Sequence, residues 1–373
     1  MQQISESLIG LDRIAAYCCV SKPKVTELLE KGVIPSIKKK GRNIRYATYT
    51  YVVDFIVSQI ENNKEFSFIS TSTKNEHYNE VFTKYPLEKE DVRGSEESIA
   101  TVFANCNLKG GVGKTTTSIS LASALSIMNQ RVLLIETDPQ SNIGMYLGDE
   151  DYGKKCFSDV VLEFLKTDKI IDLKGCITSF SFTNSKFDAL VSDDRMLGKM
   201  EKISDSNFIR NVAYRLRKDY DFIIIDTPPS LQASLQQSYI ASQFLNLITL
   251  PENLSVSGVR NLLSSIAELN AENMENGKIE DTCTIENAVV TCFDARLLND
   301  QVENLIVLKE TLESFDISSD AIFKIKKSVI YPQSTSSSGK CPIYDLSSSF
   351  NKSIEEGSEY FKMALKILQK RIA

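Results

Sequence analysis

Short apolar runs separated by helical patterns cover most of the chain after residue 98. A run of about four to eight apolar residues between polar boundaries is typical of a strand that is buried on both faces. Five such runs lie at residues 99–106, 131–135, 220–226, 245–250 and 288–292, and a sixth strand is plausible at 322–326. Helical patterns such as Ser118–Met128 stand between them. This alternation predicts an α/β fold, with a mostly parallel sheet flanked by helices on both faces.

The first sixty residues show a different pattern. Apolar residues at helical spacing predict one helix over residues 11–19 and a second helix that Ser21 can cap and Gly32 ends. Two strands of alternating apolar residues are predicted at 33–37 and 43–48, with a basic tip at 38–42 between them. A last helix follows at 49–60. This order predicts a small winged helix-turn-helix domain, and it resembles winged-helix modules of the MerR and excisionase type.

Positive charge is concentrated in this N-terminal module. The chain has a net charge of −6, yet residues 1–60 hold nine Lys and Arg against five Asp and Glu. A basic module on an acidic body suggests DNA as a ligand, contacted by the start of the second helix and by the wing. The candidate DNA-binding residues are Ser21, Lys22, Lys24, Lys38, Lys39, Lys40, Arg42 and Arg45. The alternative is that these lysines form the solvated face of a dimerisation module.

Between the two patterns lies a polar segment. Residues 61–98 are rich in Glu, Lys, Asn and Ser and have little apolar periodicity, so we interpret them as a linker. The predicted organisation is therefore a winged helix-turn-helix domain at 1–60, a linker at 61–98 and an α/β domain at 99–373.

The cysteines and the histidine do not indicate a site. None of the eight cysteines forms a Cys-x-x-Cys pair, and the single histidine, His77, lies in a polar stretch. The sequence therefore supports neither a zinc site nor a histidine-based triad, and we expect reduced thiols and a cytoplasmic location. The sequence shows no signal-peptide core and no run of about eighteen apolar residues, so secretion and membrane spanning are not expected.

A glycine-rich loop supplies the strongest candidate chemistry. Lys-Gly-Gly-Val-Gly-Lys-Thr-Thr-Thr at residues 109–117 follows the first apolar run and precedes the Ser118–Met128 pattern. In a loop between a strand and a helix, backbone N–H groups can surround a polyphosphate, which the helix N-terminus also favours. Lys114 can reach the β- and γ-phosphates, and Thr115 can hold Mg²⁺. We therefore predict a nucleotide-binding site.

The loop departs from the general P-loop at its start. The general spacing requires Gly where Leu108 stands, and a second lysine, Lys109, follows. Lys-Gly-Gly-Val-Gly-Lys-Thr-Thr resembles the deviant Walker A motif of the ParA/MinD family of dimerising P-loop ATPases. The resemblance implies that Lys109 and Lys114 are catalytic and that Lys109 reaches the nucleotide of the partner subunit. The nucleotide-binding residues it implies are Lys109, Gly110, Gly111, Val112, Gly113, Lys114, Thr115, Thr116 and Asp226.

Two further strand ends resemble motifs of this family in the expected order. Residues 136–140, Glu-Thr-Asp-Pro-Gln, are similar to the second signature, usually Asp-x-Asp-Pro-Gln. This similarity implies that Asp138 is a catalytic residue that orients the attacking water, whereas Glu136 replaces the usual first Asp and its role stays open. The run 220–226 ends in Asp226, as a Walker B strand does. The implied Mg²⁺ ligands are Thr115, Asp138 and Asp226.

The resemblance covers residues 99–373, and a preceding helix-turn-helix domain is what the longer, plasmid-type ParA proteins carry. It implies an ATPase that uses ATP and Mg²⁺, forms a homodimer with ATP, and binds DNA non-specifically. Slow hydrolysis to ADP would be stimulated by a centromere-binding ParB-type protein, and operator binding would give autorepression. Such a partition protein is expected in the cytoplasm, associated with the nucleoid. Nitrogenase iron proteins share the loop, but the cysteines here do not stand in their cluster-binding context.

Two other functions stay open from the sequence. The chain could act primarily as a nucleotide-responsive transcriptional repressor through its N-terminal domain. A MinD-like membrane-positioning ATPase is the second alternative, because apolar Phe361, Leu365 and Leu368 alternate with basic residues near the C-terminus. We expect this last segment to be a helix packed on the α/β domain, and we expect no membrane partner.

Overall fold

We describe the protein from a computed structural model. The residues it describes are 8–9, 11, 14, 22–34, 36–38, 45–48, 100–128, 130–148, 154–182, 184–229, 233–278, 282–294, 298–318, 321–335, 340–346 and 358–372.

The N-terminal residues form one helix and a small antiparallel sheet. In chain order the elements are β1 (Leu8–Ile9), α1 (Lys22–Glu30), β2 (Ile37–Lys38) and β3 (Arg45–Thr48). Strand β3 lies between β1 and β2 and pairs antiparallel with both. The first predicted helix is described only at Leu11 and Ile14, and residues 39–42 and 49–99 lie outside the described residues. The winged helix-turn-helix domain therefore stays a prediction.

The structure corrects two predictions within this module. The strand predicted at 33–37 begins only at Ile37, because the preceding residues turn back on α1: the N–H groups of Val33 and Ile34 donate to the Leu28 carbonyl. Lys38 was predicted in the wing tip, but it lies in β2 and pairs with Arg45 of β3. The connection between the two strands therefore begins later than the sequence pattern suggested.

Residues 100–372 contain the remaining strands and helices. The strands are β4 (Thr101–Cys106), β5 (Val132–Glu136), β6 (Thr178–Ser181), β7 (Lys186–Leu190), β8 (Phe222–Asp226), β9 (Phe244–Thr249), β10 (Thr284–Phe293) and β11 (Ile322–Lys326). The helices are α2 (Lys114–Ile127), α3 (Asn142–Leu147), α4 (Phe157–Thr167), α5 (Phe208–Leu216), α6 (Ala233–Ala241), α7 (Asn253–Glu275), α8 (Leu298–Glu313), α9 (Ile330–Thr335) and α10 (Ser358–Ile372).

These strands form one eight-stranded sheet in the order β11-β10-β9-β4-β8-β5-β7-β6. Every neighbouring pair is parallel except β6 and β7, which are antiparallel at one edge. All six predicted strands are present, and the predicted mostly parallel α/β fold is confirmed. The sequence did not predict β6 and β7, and it placed β10 at 288–292 although the strand already begins at Thr284.

Apolar side chains fill both faces of this sheet. Neighbouring strand residues alternate between two cores: Leu134 lies in the layer shared with α2 and α10, and Leu133 lies in the layer shared with α5, α6 and α7. Burial on both faces explains why the strands appear in the sequence as continuous apolar runs. No helix in the part of the chain described here is long and apolar enough to cross a membrane.

Helix α10 packs on α2. Phe361 and Leu368 are buried, and the hydroxyl oxygens of Thr117 and Tyr360 lie 3.2 Å apart between the two helices. The predicted terminal helix packed on the α/β domain is confirmed for these residues, while the side chain of Leu365 lies outside the described ones. The apolar face of α10 is thus part of the core of the domain.

Candidate nucleotide-binding site

The glycine-rich loop connects β4 to α2 at the carboxyl edge of the sheet. Gly111 and Gly113 have φ values of 72° and 92°, in the left-handed region that L side chains rarely adopt. A Cβ atom on Gly113 would also lie 3.4 Å from the side chain of Thr291. Helix α2 begins at Lys114 rather than at the predicted Ser118, because Thr117 N–H already donates to the Gly113 carbonyl at 2.9 Å. The loop therefore leads directly into a helix N-terminus, the arrangement that favours phosphate binding.

Lys114 is buried within this loop. Its ammonium donates to the Lys109 carbonyl at 3.2 Å, which bends the side chain back along the loop. Burial lowers the pKa of Lys114, whereas the negative charges of Asp226 and Asp138 raise it. The structure thus brings the three predicted site residues together, with one cation beside two carboxylates.

Asp226, the last residue of β8, accepts hydrogen bonds on both of its oxygens. Thr115 donates its hydroxyl to Oδ2 and Ser118 donates its hydroxyl to Oδ1, each at 2.7 Å. Burial raises the pKa of Asp226 to about 6, although both hydroxyls and Lys114 act in the opposite direction. The Asp226 carboxylate at the end of β8 and the Thr115 hydroxyl at the start of α2 supply the oxygen ligands that Mg²⁺ prefers. This pair of residues therefore fits the predicted cation.

Asp138 lies two residues beyond the end of β5 and is buried. Its Oδ1 accepts the N–H of Gln140 at 2.9 Å, and its carbonyl accepts the hydroxyl of Ser192 at 3.0 Å. Burial raises the pKa of Asp138, while the neighbouring charge of Lys114 lowers it. These contacts fix the loop that carries Asp138 beside the phosphate loop.

The side chain of Glu136 makes its contacts on the β7 side of β5, away from the phosphate loop. Its carboxylate is fully buried and accepts the N–H of Ile143 at 2.7 Å and the N–H of Ser192 at 2.9 Å. Burial raises the pKa of Glu136 to about 8, against the effect of these two donors. Glu136 thus joins the start of α3 to the segment after β7, a structural contact that the sequence did not predict.

Lys109, the second lysine of the loop, is partly exposed and contacts its own chain. Its ammonium donates to the carboxylate of Glu252 and to the hydroxyl of Ser255, each at 2.9 Å, at the start of α7. Its backbone N–H donates to the side chain of Asn107 at 2.9 Å. Within one chain, Lys109 thus lies at the rim of the loop, held by contacts that the sequence did not predict.

The sequence also did not predict the polar residues that hydrogen-bond to Asp226 and to the phosphate loop. Ser118 holds Asp226, and Thr291 donates its hydroxyl to the Val112 carbonyl at 2.6 Å. Three asparagines, Asn105, Asn246 and Asn287, are fully or almost fully buried in the sheet. The signal that could have found them is the occurrence of an amide within an otherwise apolar strand, since such a group must find buried partners.

The predicted DNA-binding residues are only partly described. Lys24 pairs with Glu27 at 2.9 Å, and Lys31 pairs with the same carboxylate at 2.6 Å. The backbones of Lys22, Lys38 and Arg45 lie in α1, β2 and β3. Ser21, Lys39, Lys40 and Arg42 are wholly outside the described part of the chain. The predicted DNA surface therefore stays a prediction.

A mostly parallel sheet with a phosphate loop, a Walker B aspartate and a second loop lysine defines a P-loop ATPase fold of the deviant Walker A class. Comparison with known proteins agrees, since a family model described as an AAA domain matches residues 100–280. A protein of Pseudomonas putida is 31% identical over 211 residues, which are 55% of this chain and 74% of that protein. A virulence plasmid ParA family protein of Chlamydia psittaci is 31% identical over 161 residues, 43% of this chain and 61% of its own.

A solved structure shares the fold. A complex of Cyanothece McdA with ATP, in which one aspartate is replaced by alanine, matches with a TM-score of 0.56 and 21% identity, over 70% of this chain and 96% of its own. Together with the loop sequence, the sequence likenesses described above show that the chain belongs to the ParA/MinD family of P-loop ATPases.

Proposed function

We propose that the protein is an ATP-dependent DNA partition protein of a plasmid or another replicon. The observation that carries the proposal is the meeting of Lys114, Asp138 and Asp226 at the phosphate loop, with Lys109 at its rim. The likeness to a plasmid ParA family protein supports partition, and the ATP bound to the McdA structure supports the choice of nucleotide.

The loop residues would bind ATP through their backbone N–H groups and through Lys114. Mg²⁺, bound with the nucleotide by Thr115 and Asp226, would neutralise charge on the β- and γ-phosphates. Asp138, just beyond the end of the neighbouring strand, would orient the water that attacks the γ-phosphate. With this set alone, hydrolysis is expected to be slow, because a positive group supplied in trans is commonly worth about 10³- to 10⁵-fold in this chemistry.

Dimerisation would change the contacts of Lys109. Its ammonium would leave Glu252 and Ser255, the partners it has in the single chain, and reach the phosphates of the nucleotide in the second subunit. The loss of one exposed ion pair costs little, about 1 kcal/mol or less, so ATP can offset it. The dimer would then bind DNA non-specifically, and a centromere-binding ParB-type protein would stimulate its hydrolysis of ATP. The N-terminal domain would bind the operator and repress transcription.

The test is the molar mass of the protein in solution, measured by light scattering with Mg²⁺ and either ATP or ADP. We expect ATP to convert the wild type to a dimer and ADP to leave it monomeric. Lys109→Ala should bind nucleotide yet stay monomeric, Lys114→Ala should lose nucleotide binding, and Lys309→Ala, an exposed lysine on α8, should behave as wild type. A dimer that forms equally without ATP, or rapid turnover by the isolated protein, would contradict the proposal.

A further inference from the structure

A row of buried polar side chains crosses the centre of the sheet. Asn287 of β10 stands in register with Asn246 of β9, Asn246 with Asn105 of β4, and Asn105 with Asp226 of β8. All four side chains are at most 2% exposed. Their strand neighbours are mostly apolar, so the row is a polar line within the core layer that faces α2.

These side chains form one chain of hydrogen bonds. Asn287 donates its amide N–H to Asn246 Oδ1 and Asn246 donates to Asn105 Oδ1, each at 2.9 Å. Asn105 in turn donates to Ser118 Oγ at 2.8 Å, and Ser118 donates to Asp226 Oδ1 at 2.7 Å. Every donor points toward Asp226. Among the described residues, Asn287 Oδ1 accepts no hydrogen bond, so the chain begins there.

The direction of the chain determines what Ser118 can do. A serine hydroxyl has one hydrogen, and the amide of Asn105 occupies an acceptor position on its oxygen. The hydrogen is thereby left for Asp226 at 2.7 Å or for the Lys114 carbonyl at 3.1 Å, and the shorter bond ends on the carboxylate. Hydrogen bonds in such a chain polarise one another in a low-dielectric interior, so the bond to Asp226 is strengthened by the amides behind it.

Apolar residues at the three asparagine positions would fill the core equally well, and no buried amide would then need a hydrogen-bond partner. Each buried amide that loses its partner destabilises a protein, and these three side chains are paired almost entirely with one another. Within the described structure, the one hydrogen bond that the side chains of these asparagines make to another residue runs from Asn105 to Ser118, and Ser118 donates to Asp226. A function at Asp226 therefore accounts for their presence in the core.

We propose that Asn105, Asn246 and Asn287 are positioning residues for the nucleotide site. They hold the Ser118 hydroxyl on Asp226 Oδ1, so that Oδ2, which accepts the Thr115 hydroxyl, would be available together with Thr115 to bind the cation that accompanies the nucleotide. This inference rests on the proposed function, because it assigns the row to the binding of magnesium with nucleotide.

The test compares nucleotide affinity with and without magnesium. A fluorescent ATP analogue is titrated in excess Mg²⁺ and again in EDTA, and the ratio of the two affinities gives the magnesium-dependent gain. Asn246→Leu removes the donor that fixes the Asn105 side chain, so the Ser118 hydroxyl can turn from the Asp226 carboxylate to the Lys114 carbonyl. The gain should then fall by about tenfold, the size expected when one hydrogen bond to a charged group is lost. Its affinity in EDTA should stay within about twofold of wild type. The matched control is Asn270→Leu, since Asn270 bonds to the backbone of Cys283, away from the row, and should leave the gain unchanged.

Ser118→Ala removes the link to Asp226 without altering the strands, and it decides the question if Asn246→Leu does not fold. Ser118→Ala should lose the same gain, and the double variant should lose no more than either single one, because both act through one chain. A gain equal to wild type in Ser118→Ala, or in a folded Asn246→Leu, would overturn the assignment. If the wild type itself shows no magnesium-dependent gain, the proposed function fails, and the inference fails with it.

Discussion

Asp226 and Glu136 stand side by side in the register of neighbouring strands, yet different groups bind their carboxylates. The carboxylate of Asp226 meets the hydroxyls of Thr115 and Ser118 at the start of α2. That of Glu136 meets two backbone N–H groups, at Ile143 and Ser192. An oxygen of the Asp226 carboxylate can exchange a hydroxyl donor for a cation. The Glu136 carboxylate instead holds two backbone segments of the fold together.

Substitution of Glu136 by Ala should therefore reduce stability more than it changes the nucleotide site. Two buried N–H groups would lose their acceptors, and we expect the free energy of unfolding to fall by about 1–3 kcal/mol. Urea denaturation followed by circular dichroism measures this, with the exposed Glu268→Ala as a control that should change stability by less than about 0.5 kcal/mol. Equal effects in the two variants would mean that Glu136 does not hold these segments.

The raised pKa of Asp226 predicts a pH dependence of nucleotide binding. Burial moves this pKa from the usual acidic range to about 6, so the carboxyl takes up its proton as the pH falls through about 6. The protonated group cannot hold a cation, and the magnesium-dependent affinity for ATP should fall over that range. A titration between about pH 5 and pH 8 measures it.

Asp226→Asn is the control for this titration. Any pH dependence of ATP affinity that this variant keeps comes from the phosphates of the nucleotide or from other residues. If wild type and Asp226→Asn follow the same pH profile, Asp226 is not the titrating group.

The sequence predicted the residues that a contiguous motif contains, but not those that meet through the sheet. Lys114, Asp138 and Asp226 follow from the loop and from two strand ends. Ser118 and the asparagine row depend on strand order and register, which a single sequence does not contain. The partners of Lys109 on and beside α7, more than 140 positions away, were missed for the same reason.

Among the elements, the strands buried on both faces were the best predicted. The central strands were found because burial on two faces gives a continuous apolar run. The edge strand β11 was also predicted with its observed bounds, although its residues alternate between buried and exposed. Strands β6 and β7 were missed because neither is a continuous apolar run: β6 alternates between buried and exposed residues, and β7 contains Lys186 and Asp188. The start of α2 was placed four residues late, because the first turn of that helix is also part of the phosphate loop motif.

Helix α10 gives a prediction at this scale. Phe361 is 5% exposed and its ring meets that of Tyr344 edge-on, with centroids 4.7 Å apart. Removal of a buried phenylalanine side chain leaves a cavity, so Phe361→Ala should lower the free energy of unfolding by about 3–5 kcal/mol. Chemical denaturation measures the change. A loss below about 1 kcal/mol would show that α10 does not complete the core.

At the scale of the whole molecule, the chain has two parts of opposite charge. The acidic α/β domain holds the nucleotide site, and the basic N-terminal residues form the predicted operator-binding domain. The proposed partition function also requires DNA binding that depends on ATP and not on the DNA sequence. In the proposed mechanism Lys109 makes DNA binding depend on ATP, because it reaches the nucleotide of the second subunit in the dimer that binds DNA.

The most direct measurement is DNA binding by the wild type and by Lys109→Ala, each with ATP, with ADP and without nucleotide. Fluorescence anisotropy at matched salt would compare random DNA with the DNA upstream of the reading frame, because affinities for DNA depend strongly on salt. We expect ATP to promote binding to random DNA and Lys109→Ala to abolish this gain. Binding to the upstream DNA alone, whatever the nucleotide, would contradict it and would make the protein primarily a transcriptional regulator.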